Sequence, residues 1–299
     1  MKKTLIFCIM LIICQQAGAV GLIELNYTTA LTEAQRQNFD AAASFWNSVI
    51  TGYDLTIAYD NQNKPLYDYP HQLTIDVSLP YKDGVGGLLG QAGPTTANYY
   101  DNNPIGAPTV ALWYATAGVM EFDSADVDNM IANDQFYAVV LHEMAHVIGF
   151  GTLWTYNHNL EKTIYPMYVT GSGEYLGIKA LENWKTEFSG QSAATFVPVE
   201  LEGADGTANG HWNEVSGGSA YTGITSSYGD LANELMTGWL NENIYLSKTT
   251  LGAIDDLGYI VDYSKAGFII IPEAGWIGWS LACVGMLLRR RRTGSNTNR

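Results

Sequence analysis

Along residues 32–50, TEAQRQNFDAAASFWNSVI, apolar side chains return every three or four positions at Phe39, Ala43, Trp46 and Ile50. That period predicts an amphipathic helix, with Thr32 as its cap. Residues 55–59 and 73–79 (LTIDVSL) instead alternate apolar and polar positions, the period of a half-buried strand. Residues 109–114 and 119–122 read as two further short strands. Residues 81–94, YKDGVGGLLGQAGP, are glycine-rich and read as a loop, without the strand-then-helix setting that a phosphate loop needs. Residues 136–149 are a predicted helix, capped by Asn133 or Asp134 and ended by Gly149 and Gly151. Beyond Gly151 the chain turns to Gly, Ser, Thr, Asn and Tyr. Two helices are predicted there, over 227–236 and 246–257, in what reads as a loop-rich second lobe below a cleft.

The two ends carry a different pattern. Residues 1–19 combine Lys2 and Lys3, an apolar run over 5–13 and the small-residue site Ala17-Gly18-Ala19, which reads as a signal peptide. The C-terminal segment, 269–299, holds Pro272-Glu273, an apolar run over 274–288 and Arg289–Arg292. The run is shorter than the roughly 20 residues of a membrane span. This order resembles a bacterial PEP-CTERM sorting tail, with Ala274 where a second proline is usual. The resemblance implies an exosortase-type processing enzyme as a partner and only transient membrane contact. A plain C-terminal anchor is the other reading. Together the ends predict export, to the medium or the cell surface.

With the ends set aside, charge becomes informative. The whole chain has net charge −15, but residues 20–271 keep 8 basic against 29 acidic side chains, net −21. That excludes nucleic acid and anionic membrane as partners. All three cysteines, Cys8, Cys14 and Cys283, lie in the end segments, so the domain between them has no disulfide or thiol chemistry.

Candidate chemistry sits in the 136–149 helix, in His142-Glu143-Met-Ala-His146. Positions i and i+4 share a helix face, so the two imidazoles point at one ion. Glu143 is rotated about 100° from His142. From there it reaches a metal-bound water without being a ligand, and can take the proton of that water as it attacks a carbonyl. The pattern is short, and Val139, Val140, Leu141, Val147 and Ile148 suit an ordinary buried helix. Against that, buried polar groups are costly unless used. The residues leave the third ligand open among His71, His158, His211, Glu161 and Glu174; Thr152 occupies the place of a compact metzincin's third histidine. Asp123, Asp126 and Asp128 have the chemistry for Ca2+ but not the spacing of an EF-hand, and a solvated turn is the favoured reading.

The ordered set HEMAHVIGF, a long insert, GHWNE, ELMTG and LSKTTLGAIDDLGY resembles the leishmanolysin-like metzincin metallopeptidases, over about residues 123–259. In that family an insertion of about sixty residues displaces the third zinc histidine. The resemblance therefore implies His142, His146 and His211 as ligands of one Zn2+, Glu143 as the catalytic residue, and Met236 in the turn beneath the metal. It matches Gly149 to the glycine where the chain bends away. It implies an α+β, zincin-like fold: a twisted mixed sheet and the active-site helix in an upper lobe (20–151), and a loop-rich lower lobe (152–268). It also implies a secreted endopeptidase acting on proteins or peptides. The chain departs from leishmanolysins in lacking their disulfides and the pro-segment cysteine that keeps them latent. The alternative is a surface or matrix protein that keeps the metallopeptidase fold without turnover; the presence of Glu143 speaks for the enzyme.

Overall fold

The structure, a computed structural model, describes residues 21–53, 72–101, 111–157, 166–203, 206–214 and 221–271. Residues 1–19, residues 272–299 of the C-terminal segment, the expected strand at 55–59, His71, His158 and Glu161 lie outside them.

The chain begins with β1 (Ile23–Tyr27), α1 (Glu33–Val49), β2 (Ile50–Tyr53), β3 (Leu73–Ser78), β4 (Gly90–Asp101) and β5 (Ala111–Phe122). Four of these strands form a mixed sheet in the order β1-β3-β5-β4. The β1–β3 and β3–β5 pairs are parallel, and β4 runs antiparallel to β5 as an edge. Two helices follow, α2 (Val127–Ala132) and α3 (Phe136–Ile148). The remainder holds β6 (Glu174–Tyr175), α4 (Ile178–Glu187), β7 (Val197–Pro198), β8 (Tyr245–Leu246), α5 (Lys248–Asp256), β9 (Tyr259–Val261) and β10 (Gly267–Phe268), joined by long loops. This is the expected α+β class with a mixed sheet.

The amphipathic pattern of α1 does what its period requires. Thr32 and Gln35 form a reciprocal capping box, and Phe39, Ala42, Ala43, Trp46 and Val49 are buried. The Trp46 indole donates to the Leu141 carbonyl at 3.0 Å, which ties α1 to α3 inside the core. Phe39, Phe122 and Phe136 meet edge to face, with centroids 5.3–5.4 Å apart. On β3, Leu73, Ile75 and Val77 turn inward and their neighbours outward. Helix α3 is buried at every position except His142. It lies close on the sheet because Gly118 has no side chain: a Cβ there would fall 2.3 Å from Val147 Cγ1.

Several local expectations are corrected. The two strands expected at 109–114 and 119–122 are one, β5; its centre, Ala115-Thr-Ala-Gly118, is too small to show apolar period in sequence. The loop expected over 81–94 ends at Leu89, because β4 starts at Gly90. An edge strand tolerates glycine, and Pro94 sits where the register shifts against β5. Neither Asn133 nor Asp134 caps α3: they close α2, with Asp134 at φ 58°, and Gln135 occupies the cap without a side-chain bond. The helix expected at 227–236 is reduced to one 3-10 turn, Leu231–Asn233. The Asp230 carboxylate takes the Thr222, Gly223 and Ala232 amides, which holds that segment as a loop instead. The 246–257 expectation matches α5, capped by Ser247.

The acidic cluster is not a solvated turn either. Asp123 is fully buried, and its carboxylate accepts the amides of Ala125, Gly84 and Asp83 at 2.8–2.9 Å. These amides, that of Ala125 foremost, hold its pKa well below the carboxylate range. Asp126 accepts the Gly86 amide at 2.8 Å, and Asp128 the Gln35 side chain at 3.0 Å. Asp123 and Asp126 thus fasten the glycine-rich loop ahead of β4, while Asp128 holds α1.

Candidate metal centre

His142 and His146 stand one turn apart on α3, and His211 reaches them from the second half of the chain. Their three Nε2 atoms lie 3.0, 3.0 and 3.1 Å from one another. Each Nδ1 faces a main-chain carbonyl: Leu235 at 2.7 Å for His142, Phe150 at 2.9 Å for His146 and Thr207 at 2.8 Å for His211. A carbonyl oxygen only accepts, so every Nδ1 carries the proton and every Nε2 presents a lone pair. Three lone pairs converging without a proton between them repel, and a cation relieves that repulsion. Burial keeps the rings neutral: it lowers the pKa of His142, that of His146 well below the ordinary value, and that of His211 to about 3. Neutral imidazoles are the ligand form, and such a donor set suits a zinc-like ion. Among the described residues these three form the one group of three or more His, Cys, Asp or Glu close enough to share an ion.

The chain path delivers each ring. Gly149, at φ 133°, ends α3 and turns the Phe150 carbonyl back to His146. Thr152 Oγ1 donates to the His146 carbonyl at 2.7 Å. Gly151, at φ 74°, lets this turn touch the segment that carries His211, since a Cβ there would fall 2.5 Å from the Gly210 carbonyl oxygen. Next to His211, Trp212 stacks on Trp154 with centroids 5.2 Å apart and meets Phe150 edge to face at 5.0 Å. The ELMTG turn joins the two halves. Leu235 orients His142, while the Met236 carbonyl accepts the Trp212 amide at 3.0 Å. Glu234 shapes this turn, accepting from the Met236 amide at 2.6 Å, the Ser247 amide at 3.0 Å and the Thr250 hydroxyl at 2.6 Å. Met236 itself is fully buried.

Glu143 borders the same cleft, whose volume is about 1210 Å³. It is 9% exposed, and burial alone raises its carboxyl to about 8. Gly90 on β4 faces it across the Phe122 ring, where a Cβ would fall 2.8 Å from Phe122 Cδ1. The structure therefore brings His142, Glu143, His146 and His211 together. Glu174, the other described candidate, lies exposed on β6 and does not line the cleft. Sequence reasoning missed the three orienting carbonyls, which no residue type signals. It also missed two buried carboxylates of the cleft wall, Glu200 and Glu214; only the place of Glu214 in GHWNE pointed that way.

The family model described as leishmanolysin matches residues 113–277, a stretch that holds all three histidines, Glu143 and Met236. No curated protein matches the chain. A match over more than half of the 299 residues, on a mixed α+β fold with three histidines gathered at one point, places the chain in the leishmanolysin family of metallopeptidases.

Proposed function

We propose that the protein is an exported zinc-dependent endopeptidase, with His142, His146 and His211 as the metal ligands and Glu143 as the general base. The observation that carries this reading is the convergence of three Nε2 lone pairs beside a buried carboxylate in an open cleft. Bound zinc would supply Lewis acidity, polarising the scissile carbonyl and making water acidic. Glu143 takes the proton of the attacking water and passes it to the leaving amine. Its burial raises its affinity for that proton without moving it from the cleft. Residues 20–151 and 152–268 act as the two walls: Leu89 to Ala92 and the α3 face line one side, and Thr207, Glu214 and Trp239 line the other. Among the described residues β4 is an edge strand, which offers main-chain groups along which a peptide can pair.

Purified protein is expected to digest casein, to stop when a chelator removes its metal, and to resume with zinc. Casein left intact by zinc-loaded protein would refute the enzyme reading and favour a binding or matrix role.

Export and tail processing rest on residues 1–19 and on Pro272-Glu273, the apolar run and Arg289–Arg292. Protein isolated from its native host is expected to begin near residue 20 and to end near Pro272, cut by an exosortase-type enzyme. An intact mass that still includes the arginines would identify the tail as a plain anchor.

A further inference from the structure

The ELMTG turn carries a carboxylate that reaches two sides of the histidine cluster through other groups. Glu234 is 2% exposed, and its Oε2 accepts the Met236 amide at 2.6 Å. That amide shares one planar peptide group with the Leu235 carbonyl, which accepts the His142 Nδ1 proton at 2.7 Å. Fixing the N–H of a trans peptide fixes the direction of its C=O. Carboxylate, peptide and imidazole therefore form one chain of hydrogen bonds, in which each bond polarises the next. The other oxygen, Oε1, serves the His211 side. It accepts the Thr250 hydroxyl at 2.6 Å, and Thr250 Oγ1 in turn accepts the indole N–H of Trp212 at 2.8 Å. The Ser247 amide and hydroxyl donate to the same oxygen at 3.0 and 2.8 Å. Hydrogen bonds to a carboxylate are the strong ones, so this group holds its neighbours firmly.

We propose that Glu234 is a positioning residue of the metal centre, acting through the Leu235–Met236 peptide on His142 and through Thr250 and Trp212 on the segment that carries His211. A carboxylate behind a ligating imidazole fixes its tautomer and makes it a stronger ligand. Here a peptide group stands between the two and passes the effect on. Leu235 supplies the acceptor, and Glu234 decides where it points. This inference rests on the reading of the three histidines as metal ligands, and adds to it a residue that touches neither metal nor substrate.

The test reads the centre without any substrate. Zinc affinity is measured by competition with a chromophoric chelator, and ligand geometry by the visible absorption of Co2+-loaded protein. Glu234→Gln keeps the side-chain volume but turns an amide NH2 toward donors. It is expected to weaken zinc binding by about 10- to 100-fold, the cost of losing a group that orients a ligand, and to shift the cobalt bands. Glu187→Gln is the comparison, because Glu187 also caps α5, from the end of α4, accepting the Lys248 and Thr249 amides at 2.9 Å. That variant should lower the unfolding temperature, as a lost cap does, and leave zinc affinity and the cobalt bands unchanged. If Glu234→Gln does not fold, Thr250→Val, which cuts the arm to Trp212, should weaken zinc by about tenfold. Unchanged affinity or unchanged bands in Glu234→Gln, unchanged affinity in Thr250→Val where it stands in, or an equal loss in Glu187→Gln would overturn the positioning role and leave the metal reading standing. Failure of the unmodified protein to bind zinc would overturn both.

Discussion

Glu143→Gln is expected to keep the fold and the metal while lowering kcat/KM on peptides by about 10²- to 10⁴-fold, the usual yield of a positioned general base. Glutamine preserves the volume of a side chain that is 9% exposed, so the packing of α3 against β4 survives. What it loses is the ability to accept a proton. Burial raises the pKa of this carboxylate, and it lines the cleft that water and substrate enter. Thermal unfolding and metal analysis on the variant separate lost chemistry from lost structure. Activity within tenfold of the unmodified enzyme would mean that another group takes the proton, and the assignment of Glu143 would be wrong.

His211→Ala is expected to weaken zinc binding by more than about 100-fold, since loss even of a group that only orients a ligand costs 10- to 100-fold. Removing this ring leaves two Nε2 atoms, 3.0 Å apart on α3, that hold an ion from one side only. Purified protein should carry one zinc per chain by elemental analysis, and the variant should lose it on dialysis. His71→Ala and His158→Ala should keep full metal content. The reverse pattern, with His158→Ala empty and His211→Ala loaded, would show that the third ligand is misassigned.

How much of this was legible in the sequence follows from what each feature depends on. The period of α1, the alternation of β3 and the His-Glu-His spacing on α3 are local, so residues 32–50, 73–79 and 136–149 read correctly. Strand β5 was split because its small central residues carry no period, although Gly118 is small for a reason that involves Val147 on another element. The helix expected at 227–236 failed because Asp230 and Glu234 spend their carboxylates on loop amides, a competition that propensity does not show. Residue spacing alone could not choose among His71, His158 and His211. That choice came from the resemblance, and its geometric counterpart is the approach of Gly151 to Gly210, which separates neither in composition nor in period from any other glycine pair.

The carbonyl anchors behind the three imidazoles also bear on how the centre can change over time. Leu235, Phe150 and Thr207 orient the rings through atoms that every amino acid possesses. Mutation at these three positions alters a side chain but leaves the acceptor in place, provided the backbone keeps its path. An orienting aspartate would be lost by a single codon change. The centre is therefore written into the course of the main chain more than into the identity of its neighbours, and the surrounding walls are free to drift toward new substrates while the metal site stays the same.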